Sequence, residues 1–173
     1  MGCVEDLRGK YPRIFSEQSI FEFDSGWYRI ADSLCRVINF HVQRLRENRA
    51  FALHFNRALS SAINGKSSNL IRIYRAQSRY PENDAISAID NQSFMLVPTI
   101  LNDFKIISMK EKFGQLRVYA TGSDDFIKGA IIATEYMSTT ICECCGTSVP
   151  ETKITFNLKT RCNNCLQEAT NEL

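Results

Sequence analysis

The feature that most constrains this chain is a run of cysteines near its C-terminal end, ICECCGTSVPETKITFNLKTRCNNC. Cys142 and Cys145 form one C-x2-C pair, and Cys162 and Cys165 form a second pair after sixteen intervening residues. This spacing is typical of a structural zinc site, because each C-x2-C turn directs two thiolates at one point and two turns complete a tetrahedron. Gly146 follows the first pair, where the turn favours a residue that tolerates positive φ. The intervening ETKITFNLKT alternates enough to be a strand, so we predict a zinc ribbon with one structural Zn²⁺.

Three further cysteines lie outside these pairs. Cys144 lies within the first turn at spacings too tight for a zinc knuckle, and we interpret it as a spare thiol. Cys35 falls in a helical pattern and is expected in or near the core, and Cys3 is expected to be unpaired. A disulfide framework would need a secretory context, which no apolar leader indicates, and a thioredoxin-type site would use one C-x-x-C in a βαβ setting. An iron–sulfur cluster also takes four cysteines and stays open as the alternative to zinc.

The chain upstream of the cysteines has the pattern of an α+β domain. DSGWYRIADSLCRVINFHVQRLR and ENRAFALHFNRALSSAINGK each carry apolar residues at helical spacing, which predicts two successive helices. NDFKIISMKEKFGQLRVYATG predicts a β-hairpin that turns at Phe113 and Gly114. SDDFIKGAIIATEYMST predicts a final helix, with Asp124 and Asp125 in its first turn.

The middle of the chain carries weaker patterns. LIRIYRAQSRY fits a strand or a helix, PENDAISAIDN fits a short helix that begins at Pro81, and residues 93–101 fit an irregular link. The predicted fold is α+β, with two or three helices packed on a β-hairpin or small antiparallel sheet. We place this domain at residues 1–140 and the zinc-ribbon appendage at 141–173. The side chains expected in the core are Trp27, Leu34, Ile38, Phe55, Leu116, Val118 and Ile131.

Positive charge is concentrated between residues 41 and 80, where eight Lys and Arg side chains face one Glu, although the whole chain carries only +2. Arg46, Arg49 and Arg57 fall within about 80° of one another on a helix that turns ~100° per residue. Such a stripe can neutralise phosphates, and two nearby tyrosines could stack on bases. The alternative is a solvated helix face balanced by acidic residues elsewhere. The candidate nucleic-acid-binding residues are Arg46, Arg49, Arg57, Arg72, Arg75 and Arg79.

The cysteine region itself disfavours phosphate binding. From Cys142 onward three Lys and Arg residues face four Glu residues, and four thiolates on Zn²⁺ leave about two further negative charges. We therefore interpret the ribbon as an element that stabilises the fold or as a surface that binds another protein.

The sequence shows no catalytic motif. It has no phosphate-binding loop, nucleophile elbow or H-E-x-x-H, and His41 lies on an apolar face where a core role is expected. Four carboxylates flank the hairpin and the final helix: Glu111, Asp124, Asp125 and Glu135. Paired carboxylates can bind Mg²⁺ for phosphoryl chemistry, although a helix cap and solvated charges account for these. We predict no enzyme, with a metal-dependent nuclease as the alternative.

The stretch KEKFGQLRVYATGSDDFIKGAIIATEYMSTTICECCG resembles a widespread family of small phage- and prophage-encoded proteins. Their shared pattern is KEKFG-x-LR-x-Y, a Gly/Asp-rich turn, a helix ending in Met-Ser, then CE-x-CG and a second cysteine pair. GWYRIADSLC is similar to the family's opening helix. The resemblance implies phage origin and a zinc ribbon held by the same four cysteines. It implies no reaction, because the family has no settled activity.

These observations favour an interaction protein that docks on a host protein to inhibit or redirect it, with host-defence components among the expected targets. The alternative is a nucleic-acid-binding accessory protein that uses the basic 41–80 stretch. No apolar run approaches the ~20 residues that span a bilayer, and no signal-like stretch occurs at the start. We therefore expect a protein of the bacterial host cytoplasm without a membrane partner.

Overall fold

The computed structural model describes residues 3–148 and 159–171 of the chain. The order of elements is α1 (Cys3–Lys10), β1 (Phe15–Glu22), α2 (Tyr28–Ile63), α3 (Ser68–Arg75), α4 (Pro81–Asp90), β2 (Lys105–Lys112), β3 (Gln115–Thr121), α5 (Asp125–Ser138) and α6 (Asn163–Asn171). A 3-10 turn at Ser25–Trp27 leads into α2. The predicted α+β class is confirmed.

The chain divides into two compact units, one formed by residues 1–41 with 101–173 and the other by residues 42–100. The first unit contains the sheet, α5 and both C-x2-C pairs, which together we call the cysteine segment. The second contains most of α2 with α3 and α4. The domain boundary predicted after residue 140 stays a prediction.

The sheet of the first unit has three strands in the order β1-β2-β3. β2 and β3 form the predicted antiparallel hairpin. Phe113 and Gly114 at its turn both have positive φ, 55° and 74°, as a two-residue hairpin with a type I′ turn requires. α5 packs against β3, and Asp124 caps it by accepting a hydrogen bond from the Ile127 amide at 2.9 Å. The helix predicted in SDDFIKGAIIATEYMST is therefore confirmed as α5, but it is not the last helix, because α6 follows it and was not predicted.

β1 was not predicted, and it makes the sheet mixed because it runs parallel to β2. Its register against β2 shifts between Phe15 and Ile20. The sequence FSEQSIFE lacks the apolar alternation by which a half-buried strand is recognised. Its buried mid-strand residue is Ser19, whose hydroxyl donates to the Ile106 carbonyl at 2.7 Å.

The prediction of two helices between residues 24 and 66 was wrong, because α2 is one continuous helix of 36 residues. No glycine or proline interrupts it, and the polar stretch around Glu47 contains good helix formers. The apolar positions change face along α2 because its two ends serve different cores. Ala31, Leu34 and Ile38 are buried in the first unit, whereas Phe55 and Leu59 are buried in the second.

The predicted core is confirmed for most of its residues. Trp27, Leu34, Ile38, Leu116 and Val118 are buried in the first unit. Ile131 is only half-buried. Phe55 is buried as predicted, but it belongs to a separate cluster of the second unit: Phe55, Ala58, Leu59, Ala62, Leu70, Ala85 and Ala88.

The weakly patterned middle forms two short helices and a link. The ambiguous LIRIYRAQSRY begins within α3, which ends at Arg75, and α4 begins at Pro81 as predicted. Residues 93–100, which we call the strap, have no regular secondary structure. The irregular link predicted there is confirmed.

Candidate metal centre

The first cysteine pair lies in a tight turn that the backbone closes on itself. The Cys142 amide donates to the Thr147 carbonyl, and the Gly146 amide donates to the Cys142 carbonyl, each at 2.9 Å. Ile141 and Ser148 form a single antiparallel bridge at the base of the turn. Gly146 has a φ of +77°, the left-handed conformation that glycine adopts without strain. Its predicted role in the turn is therefore confirmed.

The second cysteine pair lies at the start of α6. Cys162 precedes this helix and Cys165 lies in its first turn. The Leu166 amide donates to the Cys162 carbonyl at 3.0 Å, which continues the helical hydrogen-bonding pattern through the pair. The strand predicted between the two pairs falls on residues 151–160, most of which lie outside the described residues.

The four cysteines predicted from spacing come together. The Sγ atoms of Cys142, Cys145, Cys162 and Cys165 all lie within 4.8 Å of one another. Cys145 Sγ and Cys162 Sγ are 3.7 Å apart, close to the separation of about 3.8 Å between two sulfurs on a tetrahedral zinc with Zn–S near 2.3 Å. This separation is too long for a disulfide, whose sulfurs lie about 2.05 Å apart. The cluster can therefore hold a metal ion.

Cys144 lies outside the cluster, as predicted for a spare thiol, and it is exposed. Its backbone still has a role, since its carbonyl accepts a hydrogen bond from the Ser25 hydroxyl at 3.2 Å. Cys35 is buried, and that burial raises the pKa of its thiol to about 12. It therefore stays a protonated core side chain at neutral pH.

The thiols of the cluster differ in how readily they ionise. Hydrogen bonding by Thr147 lowers the pKa of Cys145 to about 6, and Thr147 Oγ1 lies 3.2 Å from the sulfur. Burial instead raises the pKa of Cys165 above its usual value. A thiolate is the form that ligates a metal, so all four thiols would have to lose their protons when a metal ion binds.

The cysteine turn is docked on the start of α2, which the sequence did not indicate. The Gly26 amide donates to the Glu143 carbonyl at 2.8 Å, and the Trp27 indole Nε1 donates to the Ile141 carbonyl at 2.8 Å. A Cβ at position 26 would lie 2.3 Å from the Cys142 carbonyl oxygen, so the close approach requires glycine. The available signal was a glycine directly before the single tryptophan at a helix start.

Glu143 was also missed, and it joins the two cysteine pairs. Its side chain is fully buried, and its Oε1 lies 3.1 Å from Lys159 Nζ and 3.7 Å from Arg161 Nε. Its amide donates to the Thr160 carbonyl at 2.9 Å. Burial raises the pKa of this carboxyl above its usual value, and the Lys159 ammonium opposes that rise. The sequence did contain a signal for this ion pair. A Glu lies inside the first C-x2-C pair, and basic residues lie just before the second pair.

The cysteine segment also contacts the hairpin turn. The Thr160 hydroxyl donates a hydrogen bond to the Gly114 carbonyl. The Glu111 side chain accepts a hydrogen bond from the Gly114 amide at 2.8 Å. A metal ion in the cluster would therefore hold together the start of α2, the hairpin turn and α6.

The six candidate nucleic-acid-binding arginines all lie in the second unit. Arg57, Arg72 and Arg79 are exposed. Arg49 instead donates to the Pro98 carbonyl at 2.9 Å, and Arg75 pairs with Glu82 at 3.5 Å. Arg46 is half-buried. Two of the six candidate arginines, Arg49 and Arg75, are therefore already bonded to groups of the same unit.

The four carboxylates weighed as nuclease ligands each have a local partner. Asp124 accepts hydrogen bonds from the Ile127 amide and, at 2.6 Å, from His41 Nε2. Asp125 pairs with Lys128 at 3.0 Å, and Glu135 binds Arg117 Nη1 at 3.0 Å and the Val118 amide at 2.8 Å. Within residues 3–148 and 159–171, the cysteine cluster is the one group of three or more side chains placed to ligate a metal.

Comparison of the chain with protein-family models, with curated proteins and with solved structures finds no match. None of the helices in the described part of the chain is both long and apolar enough to cross a lipid bilayer.

Proposed function

We propose that this chain is a zinc-stabilised interaction protein that docks on a protein of its bacterial host and inhibits or redirects it. The observation that carries the proposal is the exposure of the strap. Leu96 is 93% exposed, and its neighbours Phe94 and Met95 are also exposed. Three consecutive large apolar side chains in water are the kind of surface that marks an interaction site.

The strap is held in place along α2. The Asn56 side-chain amide binds both the amide and the carbonyl of Met95, at 2.8 and 2.9 Å, and Arg49 binds the Pro98 carbonyl. Met95 and Pro98 are three positions apart, which spans about 10 Å in an extended chain. Arg49 and Asn56 are seven positions apart, which is a rise of about 10 Å along a helix. Anchors of matched spacing present the apolar side chains in one conformation, which lowers the entropy cost of binding.

Charge indicates the chemistry of the partner. Residues 42–100 contain eight Lys and Arg against four Asp and Glu, a net charge of +4. On α2, Arg46 and Arg57 lie on the face next to the line of Arg49 and Asn56 that carries the strap. A partner surface that complements the strap would be an apolar groove bordered by carboxylates. We propose that the strap binds a protein with such a groove.

The metal has a structural role in this proposal. Four thiolates favour Zn²⁺ among the common divalent ions, and four protein ligands leave no open position for a substrate. Zinc would therefore fix the cysteine turn and α6 to the first unit. The likeness of the hairpin and cysteine segments to phage-encoded proteins supports a target in the host, and host-defence proteins are the first class to test.

Nucleic-acid binding remains the second candidate. The exposure of Arg57, Arg72 and Arg79, together with that of Tyr80 beside Arg79, favours it. The engagement of Arg49 and Arg75 within the unit weakens it, because fewer cations remain to neutralise phosphates.

The test is capture of host proteins from lysate, with and without nuclease, by the wild type and two matched variants. Leu96→Glu places a charge on the strap, and Ile86→Glu places the same charge at another exposed apolar position, on α4 of the same unit. We expect one captured protein to be lost with Leu96→Glu and kept with Ile86→Glu and after nuclease. Capture that depends on nucleic acid, and is lost when Arg57, Arg72 and Arg79 are changed to Glu, would support the second candidate instead.

A further inference from the structure

The solvent-facing side of α5 carries four large apolar side chains, with the charged pair of Asp125 and Lys128 exposed beside them. Phe126, Ile132, Tyr136 and Met137 are all exposed, Ile132 to 66% and Tyr136 to 73%. With a full side chain taken at about 200 Å², their exposed parts amount to roughly 500 Å². The largest apolar patch on a typical monomer is about 300–600 Å² and is often functional. We call these four side chains, with Gly129 and Ala133 between them, the α5 face.

Among the described residues, none lies close to where a side chain of residue 129 would begin. The φ of Gly129 is not in the left-handed region, and a Cβ at this position would meet nothing within 4 Å. Glycine inside a helix lowers its stability relative to alanine, so the residue is unfavourable for the isolated helix. A small residue on an exposed helix face allows a second helix to approach closely, since the distance between packed helices depends on the side chains at the contact.

The sizes of the side chains along α5 are symmetric. Large apolar residues stand at both ends of the α5 face, Phe126 at one and Tyr136 and Met137 at the other, with Gly129 and Ala133 between. A second α5 running antiparallel about a twofold axis near residue 131 would place Phe126 against Met137, a favourable sulfur–aromatic contact. It would also bring the small residues together and set the helix dipoles in the favourable opposite orientation.

We infer that the α5 face is the contact surface of a symmetric dimer of this chain. A twofold interface uses the same patch on both copies, and the α5 face matches itself in this way. Its area is below the ~800 Å² that each partner buries in a stable complex of standard size, so the dimer is weak, in the micromolar range. The strap and the α5 face share no residue, so this inference does not depend on the proposed docking function.

The first experiment measures mass in solution by light scattering and sedimentation across the micromolar range. We expect the wild type to dimerise and Ile132→Glu to stay monomeric. Gly129→Leu should weaken dimerisation at least about tenfold, because its side chain blocks the close approach. It should not reduce thermal stability of the monomer, because its Cβ meets open space. Gly9→Leu is the matched control, since Gly9 lies in α1 with nothing within 4 Å of a Cβ, and it should dimerise normally.

The second experiment tests the antiparallel pairing. Phe126→Lys and Met137→Glu should each weaken the dimer, and mixing the two variants should restore it, because the mixed pair opposes Lys to Glu at one contact and keeps Phe against Met at the other. Wild type that remains monomeric at every concentration would overturn the inference, as would a dimer insensitive to both Ile132→Glu and Gly129→Leu. Failure of the mixture to recover a dimer would overturn the antiparallel pairing.

Discussion

The backbone amide of Gly26 donates a 2.8 Å hydrogen bond to the carbonyl of Glu143, and this bond joins the start of α2 to the first cysteine turn. The two segments approach so closely that a Cβ on Gly26 would lie within 2.6 Å of three backbone atoms of residues 142–146. The cysteine turn is therefore packed into the first unit, and the state of the cysteines is coupled to the stability of that unit.

Gly26→Ala tests this packing. The added methyl group meets backbone, which cannot rotate away, so the two segments must separate. We expect a loss of about 1–3 kcal/mol in the free energy of unfolding, the range for overpacked sites, measured by urea unfolding. Gly9→Ala is the matched control and should leave stability unchanged or slightly raised. Equal stability of the two variants would show that the close approach does not exist.

The Trp27 indole allows packing and hydrogen bonding to be separated. Trp27→Ala removes a fully buried side chain and should cost about 3–5 kcal/mol. Trp27→Phe keeps most of the volume but leaves the Ile141 carbonyl without the indole donor, so it should cost about 1–3 kcal/mol. Urea unfolding measures both. A Trp27→Ala variant as stable as the wild type would contradict the buried position.

Trp27 is the single tryptophan of the chain. Its indole donates a hydrogen bond to the carbonyl of Ile141, the residue directly before Cys142. Its fluorescence should therefore report on the metal centre. We expect Cys162→Ser, or removal of metal by a chelator, to shift the emission to the red, because metal binding and folding are coupled in small sites of this kind. Cys144→Ser should leave the emission unchanged. A red shift in Cys144→Ser but not in Cys162→Ser would reverse the ligand assignment.

The contact between Asp124 and His41 should be visible in the pH dependence of stability. Partial burial acts to raise the pKa of Asp124, but hydrogen bonds from His41 and the Ile127 amide hold it below its usual value. A carboxyl with a lowered pKa stabilises the fold above its unfolded pKa of about 3.9, and this contribution is lost as pH falls through the folded pKa. Asp124→Asn should therefore reduce stability at neutral pH, and its difference from the wild type should vanish in strong acid.

The control for that measurement is Asp125→Asn, which removes the neighbouring carboxylate from an exposed ion pair with Lys128. Exposed pairs contribute little, and a charge in the first helical turn adds at most about 1 kcal/mol, so its urea midpoint at neutral pH should fall less than that of Asp124→Asn. A constant difference between Asp124→Asn and the wild type from pH 7 down to strong acid would mean that the carboxylate charge is not the stabilising group.

The sequence predicted those parts of the structure that depend on local spacing. The two C-x2-C pairs, the turn at Phe113 and Gly114 and the cap at Asp124 each depend on a few neighbouring residues. β1 was missed because its buried mid-strand residue is Ser19, whose burial is compensated by a distant carbonyl. The docking of Gly26 and the burial of Glu143 were missed for the same reason, since both depend on partners far away in the chain. α2 was divided in two because the change of its apolar face was interpreted as an end.

The metal content of the purified protein is the most direct test of the metal centre on which this account depends. Elemental analysis of protein prepared under reducing conditions should give about one zinc per chain, kept in Cys144→Ser and lost in Cys162→Ser. A folded wild-type protein with no bound metal and four titratable thiols in the cluster, or one that carries iron with inorganic sulfide, would contradict the assignment of a structural zinc.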